Sequence, residues 1–568
     1  MAVVEISKPH LEELVGEELG VEKLEEEGSM LGILFEDSTE SGDSARSNGT
    51  SGSTSSEEDK IEVEVEPNRP DLLSVEGIAR ALRGFFEIET GAVDYPVETG
   101  DIEVEVDSSV KNVRKHIACA RIKNLDLKED ELNSIIQLQE KLTETYGRKR
   151  KKIAIGLHDL GPLEPPITYR GADPSEDSFV PLGRDEEMNL GDILEEHDKG
   201  KKYGWILEDE ERYPLLQDSE GEVLSMPPII NGELTEVDDD TDDIFLDVTG
   251  TSRREVETAL NILVAALHER GGTIESVEVG GERMPDMTGD LREIDPEYVR
   301  EVSGLDNLSE EGIKEQLEKM LYGVEIEGDK LLVTVPAYRA DVMHPYDVIE
   351  DVVIGYGYGN VEEEIPEVST IGGEDDRTVF RDSLRELMVG TGAQETMTFI
   401  LSNREKLFDR MDKEKEEVVS MANPLTEEYT VVRNWVLPSL MEVLGNNQHN
   451  RYPQKLFEVG KVSELEDHSH TGADDSYQLA YVSAGSETGF SEVRGVLQSV
   501  AKELGLEFEV EELSHGSFRD KRCGNIVLDG EEAGIIGEIN EEVRDSWGLD
   551  VSVAAFEIYV DVLQDAVK

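Results

Sequence analysis

Apolar residues recur every three to four positions, or at alternate positions, through most of the 568 residues, and the two periods separate helices from strands. Residues 1 to 36 read as a short strand, a helix-like EELVGEELG segment and a second strand, LGILFED. The pattern then stops. From Asp37 to Lys60 the run DSTESGDSARSNGTSGSTSSEEDK has almost nothing to bury, which predicts a flexible surface loop. Beyond it IEVEVE alternates as a strand, and NRPDLLSVEGIARALRGFF turns through Pro70 into a helix that buries Leu72, Leu73, Ile78, Ala79 and Leu82. A first mixed domain, residues 1 to 100, closes there.

Residues 101 to 284 alternate strand-like and helix-like stretches. ELNSIIQLQEKLTETYG forms one amphipathic helix, and TSRREVETALNILVAALHERGG another that ends at a Gly pair. In residues 285 to 362, Ser309 precedes the helix EEGIKEQLEKML and Gly323 follows it; VEIEGDKLLVTVPAY then makes a hairpin turning at Gly328, and Pro345 opens a further helix. A helix, a hairpin and a helix predict a winged-helix-like module. Within residues 375 to 568, RTVFRDSLRELMVGTG and LPSLMEVLGNNQHN read as helices, and QETMTFIL, VVSM and QKLFEVGKVSEL as strands. The chain is therefore expected to be an α+β multidomain protein.

Charge changes the picture of the environment. Asp and Glu number 130 against 54 Lys and Arg, a formal net charge of -76 spread along the whole chain. Acid on every predicted surface suits a protein kept hydrated in a very salty cytoplasm, whereas disorder would need fewer apolar residues than the 37% present. Cys119 and Cys523 stand far apart with no partner at metal-ligand spacing, so neither a disulfide framework nor a zinc site is expected. The start MAVVEISKPHLEEL lacks a signal-peptide pattern, and no apolar run reaches the roughly 18 residues of a membrane span. A cytoplasmic location without a membrane partner follows as the expectation. Base is concentrated in RKRKK at 148 to 152 and RDKR at 519 to 522, which read as RNA contacts or as solvated loop.

Four passages, in order, resemble one family: EPNRPDLLSVEGIARAL at 66 to 82, PAYRADVMHPYDVIEDVVIGYGY at 336 to 358, NPLTEEYTVVRNWVLPSLMEVLGNNQ at 423 to 448 and KLFEVGKV at 455 to 462. With MPPIINGE at 226 to 233 and DIFLDVTGT at 243 to 251, the chain is similar to the archaeal type of phenylalanyl-tRNA synthetase beta subunit. The resemblance implies a central tRNA-editing-like domain and a C-terminal, catalytically degenerate class II synthetase-like antiparallel sheet with helices. It also implies an alpha subunit as partner, in an assembly of two alpha and two beta chains that uses ATP as substrate and Mg2+ to attach phenylalanine to its tRNA. The alpha subunit would carry that chemistry. The residues agree, since AAFEIYVDVLQDAVK lacks a Gly-rich strand followed by a helix opening with Glu-Arg, and no arginine follows Arg544. Arg433 is accordingly read as ordering a turn or meeting a partner rather than ATP.

Asp347, Glu350 and Asp351 share one face of the helix opened by Pro345, with Asp341 in the loop before it. Spacing alone leaves open a solvated acidic face. The resemblance implies that these four hold magnesium, whose preference for hard oxygen ligands they meet. It further implies a site that hydrolyses tyrosine wrongly attached to the tRNA, for an apolar pocket rejects an added hydroxyl poorly. Ser225, Asn231, Asp247 and Thr249, beside Leu224, Pro227 and Ile229, are the candidates for its wall. Asp247 and Thr249 read equally well as turn residues leading into the TSRREVETAL helix. A tRNA-binding scaffold without hydrolysis is the alternative function. A DNA-binding winged helix is disfavoured, because EEGIKEQLEKML is acidic where a groove needs base.

Overall fold

Period-two patterning in the segment Gln454–Leu465 sends Leu456 to one side of a sheet and Phe457 to the other, and similar alternation builds both halves of the protein. The computed structural model describes residues 2–36 and 60–567. The expected loop at 37 to 60 lies outside them except for Lys60, which begins the strand Lys60–Val65. The chain divides into two units, Met1–Ile365 and Pro366–Lys568.

The first unit opens with a three-stranded antiparallel sheet in which Lys60–Val65 lies between Ala2–Ser7 and Ile33–Glu36. The helix expected within EELVGEELG is Lys8–Val15. It stops at Gly16, whose φ of 87° is a left-handed cap. A second helix, Val21–Met30, was not legible in the pattern. Pro70–Leu72 makes a single tight turn, and Ser74 Oγ then accepts from Gly77 N–H to start the helix Val75–Phe85.

Among the described residues the largest sheet has ten strands. Its centre is Val97–Val106, Thr273–Val279, His116–Lys123 and Asp243–Gly250, with Ile153–Asp159 at one edge. Residue 100 therefore lies inside a strand of this sheet. One face carries Ile122, Leu246 and Val248, packed against the helices Arg253–Glu269 and Glu129–Glu144; the other carries Ile117, Cys119 and Phe245. The polar candidates Asp247 and Thr249 share the parity of Phe245, which places them on the face away from those helices. A further three-stranded sheet, Asp290–Ile294, Lys330–Val335 and Gly323–Glu327, turns at Gly328, with a φ of 66°, and packs with the helices Pro296–Ser303, Glu310–Lys319 and Pro345–Tyr356.

The second unit is a seven-stranded sheet, antiparallel except for the short edge strand Gln394–Glu395. Phe457, Tyr481 and Phe556 face the helices Asp376–Gly390 and Phe490–Glu503, while Val482 and Ala555 face the helix Leu437–Asn446. Two segments depart from expectation. QETMTFIL supplies only Gln394–Glu395, which pairs with Gln454–Leu465, and Leu401–Ser402, which pairs with Val431–Val432. The chain changes partner between these pairs, so no continuous strand forms. VVSM contributes one isolated bridge, Ser420 to Val431.

Candidate functional site

Asp247 lies opposite Gly156 on the neighbouring strand, and a Cβ at residue 156 would sit 2.0 Å from Asp247 Oδ2 and 2.5 Å from His158 Nε2. The absence of a side chain at Gly156 thus admits the Asp247 carboxylate to a narrow cavity of about 20 Å³, enough for one water molecule. Ser225, Asn231, Arg150 and Pro227 complete its wall. Ser225 and Asn231 reach it as partners across the short pairing of Val223–Met226 with Ile230–Asn231. Three of the four expected editing residues therefore meet. Thr249 does not line the cavity; its Oγ1 accepts from Arg114 Nε at 2.9 Å.

Of three further polar residues around this cavity, His158 and Arg114 were not singled out from the sequence, and Arg150 was noted only as part of a basic run. His158 is fully buried, with Nδ1 2.8 Å from Thr235 Oγ1 and Nε2 2.9 Å from Asp247 Oδ2. This chain orients the Asp247 carboxylate by a hydrogen bond to a ring fixed at its other nitrogen. Arg114, which donates to Thr249, Arg150 and Lys151 main-chain oxygens, is pushed down to about 10 by burial. Arg150 donates to the Pro228 and Ile229 carbonyls and lies 4.4 Å from the Tyr203 ring centre. It belongs to the basic run at 148 to 152, where Arg148, Lys149 and Arg150 all take positive φ and form a turn instead of extending a helix.

Ser225 Oγ is buried and makes no hydrogen bond, whereas its neighbours on the wall do. An unpaired buried hydroxyl costs about 1–3 kcal/mol, so Ser225→Ala is expected to leave the fold equally stable or more stable by about 1 kcal/mol. Thermal unfolding checks this, and a fall in melting temperature would show that the hydroxyl has a structural partner.

The acidic helix gives a second centre. Arg339 Nε and Nη2 donate to Asp341 at 2.8 and 2.7 Å, Nη2 also reaches Asp351 Oδ2 at 2.6 Å, and the Tyr322 hydroxyl donates to the same oxygen at 2.5 Å. Asp347 instead accepts from the main-chain N–H groups of Met343 and His344, closing the first turn of Pro345–Tyr356. The Glu350 carboxylate has no hydrogen-bond or ion-pair partner among the described residues. Burial opposes the charged form of Asp341, yet the Arg339 guanidinium outweighs it and holds that carboxyl below its usual range. Burial and then the charges of Asp351, Asp347 and Asp341 push Glu350 upward.

The four carboxylates are thus near enough to feel one another, but no three of them converge on a common point. No such metal-ligating group of three occurs among the described residues. Their chemistry still fits magnesium: all donors are hard oxygens, the two Asp341 oxygens bonded to Arg339 each keep a second lone pair, and the nearby Glu350 carboxylate is without a partner among the described residues, whereas Asp351 Oδ2 is shared by Arg339 and Tyr322.

This centre joins two separated passages of sequence. Arg69 grips Asp71 through the same two nitrogens with which Arg339 grips Asp341, and Arg80 lies 3.9 Å from the Tyr338 ring centre. In the other unit, Arg433 is buried: its Nη2 pairs with Glu458 at 2.6 Å, and its remaining nitrogens reach Lys461 O and the hydroxyls of Thr398 and Ser439. Each nitrogen has an internal partner and four of the five N–H donors are engaged, so the side chain is committed inward and not presented to a nucleotide phosphate.

The order of these modules defines a class, the large multidomain α+β chain of a tRNA synthetase. Family models match in series: the Phe-tRNA synthetase beta subunit B1 domain at 1–87, the B3/4 domain at 109–291, the tRNA synthetase B5 domain at 292–358 and the phenylalanyl tRNA synthetase beta chain CLM domain at 361–560. The phenylalanine--tRNA ligase beta subunit of Pyrococcus furiosus is 44% identical over 99% of this chain and 100% of its own length. That of Pyrococcus abyssi is 47% identical over 87% of this chain and 89% of its own. A crystal structure of an N-terminal fragment of the Pyrococcus horikoshii beta subunit aligns with a TM-score of 0.58 at 40% identity, covering 63% of this chain and all of the fragment. The chain belongs to the phenylalanine--tRNA ligase beta subunit family.

Proposed function

We propose that this chain works with an alpha subunit, two of each, to attach phenylalanine to its tRNA at the expense of ATP, and that its own cavity at Asp247 hydrolyses tyrosyl-tRNA. Family membership over essentially the whole chain carries the first part. The second rests on the buried, unpaired Ser225 hydroxyl beside Asp247 and Asn231, because a site that must bind an extra hydroxyl needs hydrogen-bonding groups lacking partners of their own. At about 20 Å³ the cavity fits the hydroxyl end of a tyrosine side chain and not its whole ring. The four expected residues divide in this reading: Ser225, Asn231 and Asp247 face the substrate, and Thr249 positions Arg114 behind them.

The unit Pro366–Lys568 is read as a degenerate class II synthetase-like fold. Its antiparallel sheet with helices supports this, and the inward commitment of Arg433, held by Glu458, Lys461 O, Thr398 and Ser439, accords with leaving activation of phenylalanine to the partner. Residues 285 to 362 are read as a winged-helix-like module, and the expected domain limits at 284 and 375 are kept, while the limit expected at 100 moves to just before Val97 so that the strand Val97–Val106 belongs whole to the central domain. Asp341, Asp347, Glu350 and Asp351 are the proposed magnesium ligands, and the ion would supply positive charge where acid accumulates. No helix among the described residues is long and apolar enough to cross a membrane, which accords with a cytoplasmic enzyme; the spread of acid suits a halophilic cell.

Met397, Phe399 and Leu425 are 96%, 75% and 102% exposed on the second unit, a cost in water that a partner subunit would remove. The test is co-purification in high salt followed by charging and deacylation assays. The tagged chain should bring down a class II synthetase chain, and the complex should charge tRNA with phenylalanine while this chain alone does not. Phe399→Asp should lower the yield of complex about tenfold or more without unfolding the chain. A chain that binds tRNA, recruits no second subunit and hydrolyses no tyrosyl-tRNA would instead be the scaffold.

A further inference from the structure

A cavity of about 520 Å³ lies in the unit Pro366–Lys568 against the strands Ala473–Gly485, Ser552–Tyr559 and Glu531–Ile539. Its volume is within the roughly 300–1,000 Å³ of small-molecule sites. Five glutamates line it, Glu416, Glu417, Glu464, Glu532 and Glu557, against one lysine. That lysine, Lys413, is already paired with Glu416 at 2.8 Å. Glu557 has a structural task, since its two oxygens accept from the main-chain N–H groups of Val436 and Leu437. Glu464 and Glu532 have no ion-pair partner among the described residues.

Two buried amides provide an observation independent of the charge. Gln478 is 3% and Asn434 8% exposed, both line the cavity, and neither Gln478 Oε1 nor Asn434 Oδ1 accepts a hydrogen bond. Asn434 spends its Nδ2 on Glu416 at 3.0 Å, which fixes which end of the amide is left over. Orphan acceptors in a negatively charged cavity ask for a ligand rich in N–H donors and positive in charge. Leu465, Leu513 and Ile535, with the rings of Trp435 and Tyr559, supply an apolar wall for the rest of it. Burial together with Glu464 and Glu557 pushes the Tyr559 hydroxyl up to about 12, which reports the same negative field. A bare metal ion fits poorly, for no three acidic side chains among the described residues converge.

We propose that this cavity binds a small organic amine, an ammonium or guanidinium group on an apolar body, with Gln478 Oε1 and Asn434 Oδ1 accepting from its N–H groups and Glu464 and Glu532 supplying the counter-charge. The experiment is calorimetric titration of the full chain with benzylamine, and with benzyl alcohol and benzoate as neutral and anionic counterparts. It is done at about 1 M salt, where screening over roughly 3 Å removes diffuse attraction to the acidic surface. Benzylamine should bind at one site per chain and benzoate should not. Gln478→Leu should weaken benzylamine about tenfold, as loss of a hydrogen bond to a charged group does. The surface pair Glu464→Gln with Glu532→Gln, which leaves the core untouched, should weaken it similarly. Absence of benzylamine binding, equal binding of benzoate, or an affinity unchanged in both variants would each overturn the proposal.

Discussion

Arg339→Met is expected to destabilise the unit Met1–Ile365 by about 3–5 kcal/mol, because it leaves two buried carboxylates without their cation. Among the described residues Arg339 is the one side chain that bonds both Asp341 and Asp351, and its own side chain is 2% exposed against 12% and 5% for the two acids. The wild-type arrangement need not be strongly stabilising for this to hold, since desolvating three charges offsets much of their attraction. Removing one partner is different: the methionine fills the space but neutralises nothing, and Tyr322 offers Asp351 only a single hydrogen bond. Urea unfolding followed by circular dichroism checks the size, and a loss below about 1 kcal/mol would mean that water reaches the carboxylates and solvates them. Added magnesium gives a second reading. If the acids are its ligands, millimolar magnesium should raise the unfolding midpoint of the variant by more than that of the wild type, because Asp341 and Asp351 no longer share their oxygens with arginine.

That centre also shows which parts of the protein could be read before folding. Pro70, Ser74 and the apolar spacing after them announce the helix Val75–Phe85, and QKLFEVGKVSEL coincides with the strand Gln454–Leu465, since caps and alternation are local properties of the chain. The carboxylate face of Pro345–Tyr356 was legible for the same reason. Its counter-charge was partly hidden: Arg339 lies two residues before Asp341, yet nothing local says that the guanidinium also reaches Asp351, or that Arg69 and Asp71 repeat the arrangement from a distant segment. QETMTFIL misled because its alternation is genuine while its pairing changes partner midway. The editing wall divided similarly. Ser225, Asn231 and Asp247 stood in recognisable segments, whereas His158 looked like any polar residue in the strand IAIGLHD. Only the pairing of that strand with Asp243–Gly250 reveals its contact with Asp247.

Gly156→Ala should have the largest effect on hydrolysis. Gly156 has ordinary strand backbone, so the added methyl is not opposed by conformation but by contact, at 2.0 Å from Asp247 Oδ2 and 2.5 Å from His158 Nε2. Neither neighbour can retreat cheaply. His158 is held at its far nitrogen by Thr235, and Asp243–Gly250 is paired on both sides, with His116–Lys123 and Ile153–Asp159. The Asp247 carboxylate must therefore rotate away from His158 into the 20 Å³ cavity, where it displaces whatever the Ser225 side of the wall receives. A misplacement of about 1 Å in such a group lowers rates by roughly a hundredfold, and overpacking of this kind costs about 1–3 kcal/mol of stability. Deacylation of tyrosyl-tRNA by the assembled enzyme should fall by about that factor while charging with phenylalanine is kept. Circular dichroism at the assay temperature shows whether the chain remains folded. If the variant hydrolyses tyrosyl-tRNA as fast as the wild type, the cavity at Asp247 is not where the ester is cleaved, and the chain of Thr235, His158 and Asp247 is then a buried structural network alone.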